Sequence, residues 1–279
     1  MDLVDLLLNY AALLLWVAWR ATGFDRGPGG RAPFSALLPS GSATPGRRHG
    51  YLVALAVVVV GRSWIYWRLG SEVNWVAGLD LGILSLSFNS AAWSRMLLYS
   101  VLEFVALWFA FHLWLLLLSI VNRALPDTDL WQRSVRRHLG WIEAWPAVLK
   151  LVAPWIIVAA VWVVANPLLA DLGLAVRPKV TLHLWQQGVL VGIGTCVVWK
   201  HLIGLVLLLH VLNSYLYLGN RPFWSFINAT ARHLLRPIRW MPLRAGRVDL
   251  TPVVAIAAGY LGFGLLEMGL HRWFERIPW

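Results

Sequence analysis

From Trp93 to Val121 the chain reads WSRMLLYSVLEFVALWFAFHLWLLLLSIV, an apolar run longer than the roughly 20 residues a helix needs to cross a bilayer. No other kind of feature constrains the fold as tightly. In lipid, every backbone N–H and C=O of such a run must be satisfied within its own helix. Five more runs share its character: Leu3–Trp19, Tyr51–Trp67, Val148–Leu169, Gln187–Tyr217 and Pro252–Leu270. Leu3–Trp19 is the shortest and lies near the lower limit for spanning. Charged residues make up 13% of the chain and hydrophobic residues 59%, whereas a soluble domain is about a quarter charged. The expected fold is an all-α polytopic membrane protein with about six transmembrane helices. Tryptophans near the ends of the runs, among them Trp16, Trp19, Trp64, Trp67, Trp75, Trp93, Trp185 and Trp273, fit an interfacial belt.

The formal charge of +11 is not read as a nucleic-acid signal, because the basic residues lie between apolar runs. One set of connections carries Arg20, Arg26, Arg31, Arg47 and Arg48; then Arg123, Arg133, Arg136, Arg137 and Lys150; then Arg221, Arg232, Arg236, Arg239, Arg244 and Arg247. The alternate connections hold only Arg68 and Arg95, then Arg177 and Lys179, then Arg272 and Arg276. That asymmetry puts the first set in the cytoplasm and both termini outside. Asp2 and Asp5 replace the basic start of a cleavable leader, so the first run is expected to persist as a helix. Arg20–Gly50 is a Gly/Pro/Ser/Arg loop without periodicity. The single Cys196 excludes an intramolecular disulfide and a cysteine-rich metal site.

Leu107–Asn122 matches Val198–Asn213 without a gap, aligning Trp108 with Trp199 and Asn122 with Asn213. Further on, Arg137-His138-Leu139 matches Arg232-His233-Leu234, and Pro146 matches Pro242. The expectation is two parallel repeats, each a long helix, a cytoplasmic amphipathic surface helix and another spanning helix. The domains follow: 1–50, the first helix and its basic loop; 51–170, the first repeat; 171–279, the second. In the second surface helix Phe223, Ile227, Ala231, Leu234 and Ile238 share an apolar face, while Ser225, Asn228, Arg232 and Arg236 lie opposite. Two outer segments alternate with period two, Leu79–Phe88 and Val180–Leu184, and are expected to form a short β-pair with each other.

Charged residues within spans are candidates for function. Arg62 and Glu103 are placed to neutralise each other across adjacent helices, and Lys200 sits near the middle of its run. A conduit for an ion or solute at the repeat interface would draw on these three. Glu267 reads as reaching the interface from near the end of the last helix. His112 and His201 lie at similar depth, so the alternatives there are haem or metal ligation and plain polar packing. Gly259, Gly262 and Gly264 read as a close helix contact. Nucleophile-elbow, phosphate-loop, zinc-protease and dinucleotide signatures are absent, so no enzymatic activity and no cofactor are expected.

The segment Leu234–Pro252, LLRPIRWMPLRAGRVDLTP, resembles the signature of the YggT/YlmG family of small membrane proteins. That signature is a basic PxR turn, a proline, a glycine-bearing link, and Asp-hydrophobic-Ser/Thr-Pro opening a transmembrane helix. Here Pro237, Pro242, Asp249, Thr251 and Pro252 occupy it. Members often carry two copies; the first copy in this chain departs from the signature, with HLGWIEAWP where the turn belongs. The resemblance implies a non-enzymatic protein of the bacterial cytoplasmic membrane, a scaffold or assembly factor in cell division or membrane organisation. It also implies, as alternatives, a role in osmotic or cation tolerance, or haem-handling in cytochrome maturation. Arg232, Arg236, Arg239, Arg244 and Arg247 would meet membrane lipids or an unidentified protein partner. Thr251 is placed as an N-cap with Pro252 at the first helical position, and Asp249 is expected to bridge nearby arginines.

Overall fold

Each apolar run folds as a helix. The computed structural model describes residues 2–24, 45–126, 128–176, 178–216, 219, 221–238, 244–245 and 248–277. In chain order the helices are α1 (Asp2–Phe24), α2 (Pro45–Glu72), α3 (Trp93–Val121), α4 (Leu130–Leu139), α5 (Ala147–Asp171), α6 (Thr181–Gly194), α7 (Trp199–Leu216), α8 (Pro222–Leu235) and α9 (Thr251–Glu275). Two short antiparallel pairs accompany them: β1 (Val76–Asp80) with β2 (Ser85–Asn89), and β3 (Arg244–Ala245) with β4 (Val248–Asp249). Among the described residues, 6 stretches are long and apolar enough to cross a membrane, with α6 and α7 counted as one span. Their outward surfaces are apolar, as at Val57, Val164, Leu168, Leu261 and Leu265. The chain is a multi-pass membrane protein by this measure.

Helix α1 runs past Trp19 and α2 begins before Gly50, so the expected Arg20–Gly50 loop is shortened from both ends; residues 25–44 lie outside the described residues. The long run expected as one helix from Gln187 starts earlier and is interrupted by a 3₁₀ turn, Thr195–Val198. The interruption has a local cause. The Thr195 hydroxyl donates to the Gly192 carbonyl at 2.7 Å, competing with the helical ladder.

The expected pairing of Leu79–Phe88 with Val180–Leu184 is not what forms. Gly82, with φ of 83°, turns the chain so that Leu79 pairs with Leu86 and Asp80 with Ser85 in a local hairpin. Ala77, Leu79, Leu86 and Phe88 are buried on one face of it. Thr181–Leu184 is instead the first turn of α6.

The helices gather into two compact units, Met1–Leu81 with Ser85–His112, and Gly82–Leu84 with Leu113–Trp279. In the first, α1 packs along α2, and Trp16 meets Trp108 edge-on with centroids 5.9 Å apart. In the second, α5 packs along α6 with glycines at the contact. A Cβ on Gly188 would stand 2.8 Å from the Ala159 carbonyl oxygen, and one on Gly192 would stand 2.4 Å from that of Trp155. The glycine contact expected on the last helix does not exist: a Cβ on Gly259, Gly262 or Gly264 meets open space. Trp114 and Trp199 exchange indole hydrogen bonds. Trp114 Nε1 donates to the Val198 carbonyl at 3.1 Å, and Trp199 Nε1 donates to that of Leu113 at 3.0 Å.

Candidate functional site

In the first unit the chemistry collects around one cation. Arg62 projects from α2 and is 1% exposed. Its Nε donates to Ser100 Oγ at 2.6 Å, and its terminal nitrogens donate to the Asn9 side-chain oxygen and the Ser100 carbonyl. The carboxylate of Glu103 lies 3.5 Å away and that of Asp5 3.9 Å. The expected Arg62–Glu103 pair is present, but it is one edge of a larger network. Tyr66 donates to Asp5, and Tyr99 donates to the other Asp5 oxygen at 3.3 Å. Ser100 Oγ gives its own proton to the Val59 carbonyl at 2.7 Å. A buried arginine is tolerated when each of its N–H groups meets an acceptor.

Sequence reasoning finds Arg62 and Glu103 and misses Asp5, Asn9, Tyr66, Tyr99 and Ser100. In one dimension Asp5 is only part of an acidic terminus. The available signal is depth. Asp5 and Asn9 lie near the start of α1, Tyr99 and Glu103 near the start of α3, and Arg62 about 15 Å from the end of α2. Beside the network lies a cleft of about 290 Å³, lined by Asp5, Leu6, Asn9, Trp75, Val76, Gly78, Tyr99 and Glu103.

In the second unit Lys200 does not stand alone. Its Nζ is 2.7 Å from Glu267 on α9. Glu267, expected to reach the interface, therefore turns to a cation within the helix pair, because an ion pair is the cheaper state for both at that depth. His112 is half-buried in the first unit, with Nδ1 2.8 Å from the Trp108 carbonyl and the Trp16 ring at 5.2 Å. His201 belongs to the second unit, is exposed, and meets Tyr260 edge-on at 6.3 Å. Among the described residues no group of three or more His, Cys, Asp or Glu is arranged to hold a metal ion.

The two short amphipathic helices, α4 and α8, pack against each other. Asp129 caps α4 by accepting from the backbone N–H of Trp131 at 2.9 Å and of Gln132 at 3.0 Å. The apolar face of α8 is buried in protein and not left for lipid: Phe226, Ile227, Ala231 and Leu235 form a core with Leu202, Val206, Leu207 and Ala255. Arg232 and Arg236 are exposed on the opposite side, as is Pro237. On α4 the buried face is more polar than expected, with Gln132, Ser134 and His138 beside Val135 and Leu139. Arg136 and Lys150 converge on Glu143 at 3.6 Å and 2.9 Å. Ser119 Oγ joins them, donating to Glu143 at 2.5 Å.

Asn122, at the end of α3, is fully buried and ties that end to α8. Its Nδ2 donates to Thr230 Oγ1 at 2.8 Å, and its Oδ1 accepts from His233 Nδ1 at 3.2 Å. Asn122→Leu removes the acceptor of His233 and leaves Thr230 only its hydrogen bond to the Phe226 carbonyl, and is expected to cost about 1–3 kcal/mol. Reversible unfolding in bicelles measures it; a change below about 0.5 kcal/mol would show that the network carries no stability.

At the end of this segment the motif residues divide. Thr251, expected as an N-cap, is the first helical residue of α9, preceded by Leu250, which has no side-chain oxygen to cap with. Pro252 sits in the first turn as expected. Arg239, Pro242 and Arg247 lie outside the described residues, as do the side chains of Arg244 and Asp249. The expected Asp249 bridge falls there too. The backbones of Arg244 and Asp249 are paired across the β3–β4 ladder.

No family model, curated protein or solved structure matches the chain.

Proposed function

We propose that the protein is a non-enzymatic membrane scaffold of the YggT/YlmG type, working in the bacterial cytoplasmic membrane with both termini outside. In this reading it docks on anionic lipid headgroups through the basic face of α8. One observation carries the reading. Arg232 is exposed on α8 and Arg236 on the 3₁₀ turn that follows it, while the opposite face of α8 is locked into the core around Leu202 and Leu207. An amphipathic helix that needs no lipid to cover its apolar side is free to present charge at a fixed height and orientation. The repeated order of elements supports the two-repeat division at 51–170 and 171–279. Spanning helix, short amphipathic helix and spanning helix occur as α3, α4 and α5, and again as α7, α8 and α9.

The conduit reading has less behind it. Arg62 and Glu103 are committed to each other in one unit, and Lys200 to Glu267 in the other. The haem reading rests on His112 and His201, which have separate aromatic surroundings.

The test is lipid retention by the purified protein in native mass spectrometry. Two arginines near an anionic surface contribute about 2 kcal/mol. Replacing Arg232 and Arg236 by alanine is therefore expected to lower phosphatidylglycerol retention roughly thirtyfold, with phosphatidylcholine unaffected. Equal retention by both forms removes the basis for the docking role.

A further inference from the structure

In the second unit a polar patch faces outward from two spanning helices. His201 on α7 lies about 22 Å before Leu216, the end of its span, and Tyr260 on α9 about 14 Å after Thr251, the start of its own. Both depths fall within a hydrocarbon core of about 30 Å. Both residues are nevertheless exposed. Their rings meet edge-on at 6.3 Å, and neither makes a hydrogen bond among the described residues. Lys200 and Glu267, on the same two helices, are paired with each other but keep 17% and 33% of their side chains exposed. On a soluble protein water would serve such groups; acyl chains cannot. Polar side chains within spans turn to protein, and these turn away from their own chain.

The phenol is held where it is. A Cβ on Gly204 would stand 2.8 Å from Tyr260 Cε2 and 3.1 Å from its hydroxyl oxygen, so the ring lies in the notch that this glycine leaves on α7. That sets a donor, the hydroxyl, beside an acceptor, the unprotonated imidazole nitrogen, at one depth. The arrangement is self-complementary. Copies of one chain insert with the same orientation, so a two-fold axis along the membrane normal preserves depth and carries each donor to the other copy's acceptor. Two equal hydrogen bonds close around the axis. From His201, α7 continues with Leu205, Leu208 and Leu212 exposed, at the alternating four- and three-residue spacing along which two parallel helices interlock.

We propose that a second copy of the chain docks on this face of α7 and α9, each Tyr260 hydroxyl donating to the His201 ring of the other copy. The α8 arginines take no part in the contact, so it stands or falls independently of lipid docking.

The experiment uses the full-length protein, labelled at its N-terminus with a donor or an acceptor fluorophore and reconstituted in phosphatidylcholine vesicles over a range of protein-to-lipid ratios. Energy transfer is expected to saturate as for a dimer, and unlabelled copies should compete it away. Tyr260→Phe loses only the hydroxyl, and His201→Phe keeps a ring without nitrogens. Each removes both symmetry-related hydrogen bonds and is expected to weaken association about tenfold, with the double variant little weaker than either. At dilutions where the parent is monomeric, Tyr260→Phe should unfold as the parent does, because its hydroxyl has no partner within the chain. Cross-linking locates the face. Under mild oxidation Leu205→Cys should form a disulfide between copies, while Val164→Cys, exposed on α5, should not. The parent, whose Cys196 is buried, supplies the background. The proposal is overturned if the parent is monomeric at every ratio, or if it dimerises equally well after both substitutions. It is equally overturned if Val164→Cys cross-links as readily as Leu205→Cys. A monomer that retains a phospholipid in native mass spectrometry, and loses it in Tyr260→Phe, would give the face to lipid and overturn it as well.

Discussion

Arg62→Met is expected to destabilise the protein by about 3–5 kcal/mol, the usual cost of removing one partner from a buried ion pair. The side chain is completely shielded, so the loss is not made up by water. Methionine fills much of the same volume and leaves the packing of α2 intact. What it removes is every donor of the guanidinium, while the Tyr66 and Tyr99 hydroxyls still donate to Asp5. Asn9 loses the donor to its Oδ1, and Ser100 loses donors to both its carbonyl and its hydroxyl. Asp5 and Glu103 are left facing each other without a cation. The penalty therefore comes mainly from the stranded charges, and that makes the prediction specific. Adding Glu103→Gln to Arg62→Met removes one stranded charge and should recover a substantial part of the loss. A double variant no more stable than the single one would mean that shape at position 62, not charge, is what the network requires. Reversible unfolding by denaturing detergent, followed by circular dichroism, reads both.

The spanning helices are legible in the sequence because bilayer thickness fixes the length of an apolar run, and internal hydrogen bonding leaves only one way to fold it. Trp93–Val121 is placed to the residue. Pro154 and Pro167 sit inside α5 without ending it, as the unbroken apolar run indicates. What sequence does not supply is partnership between residues far apart. Of the alternating Leu84, Leu86 and Phe88, the last two mark the buried face of β2, while Leu84 lies before the strand. Its pairing is misplaced because Gly82 looks like part of a single strand and is in fact its turn. Val180–Leu184 offers only three alternating positions, too few to tell a strand from the first turn of a helix. The Arg62 site is half visible. An arginine and a glutamate within adjacent runs must find each other or other partners. Asp5 and Asn9 look ordinary until the start of α1 is placed beside them. Glu267 is missed for the opposite reason: near a helix end, reaching the interface and pairing with Lys200 look the same in one dimension. The α8 surface helix carries a lipid-facing pattern, and its apolar side proves to be protein-facing, because hydrophobic periodicity reports burial without naming what does the burying.

Gly192→Ala is expected to cost about 3 kcal/mol, from a single added methyl group. In a membrane the apolar effect gives helices little reason to associate, so close backbone contact has to supply it. Along α6, Gly188 and Gly192 are four residues apart and share a face. The methyl at position 192 would lie 2.4 Å from the Trp155 carbonyl oxygen and 3.2 Å from its carbon. Those are backbone atoms of a helix and cannot swing aside as a side-chain tip can, so one helix must back away along its length. Separation would also loosen the contact at Gly188 and the packing around Trp162, Val191 and Ile83. Gly262→Ala makes the control. It adds the same methyl to a spanning helix where nothing lies within reach, and alanine's better helix propensity should leave stability unchanged or raise it by up to about 1 kcal/mol. The contrast separates a packing effect from a general intolerance of change in spanning glycines. If the two variants unfold alike, the α5–α6 contact is not held by backbone approach. If Gly192→Ala alone falls, a glycine that sequence leaves without a role is the seam that joins two membrane helices.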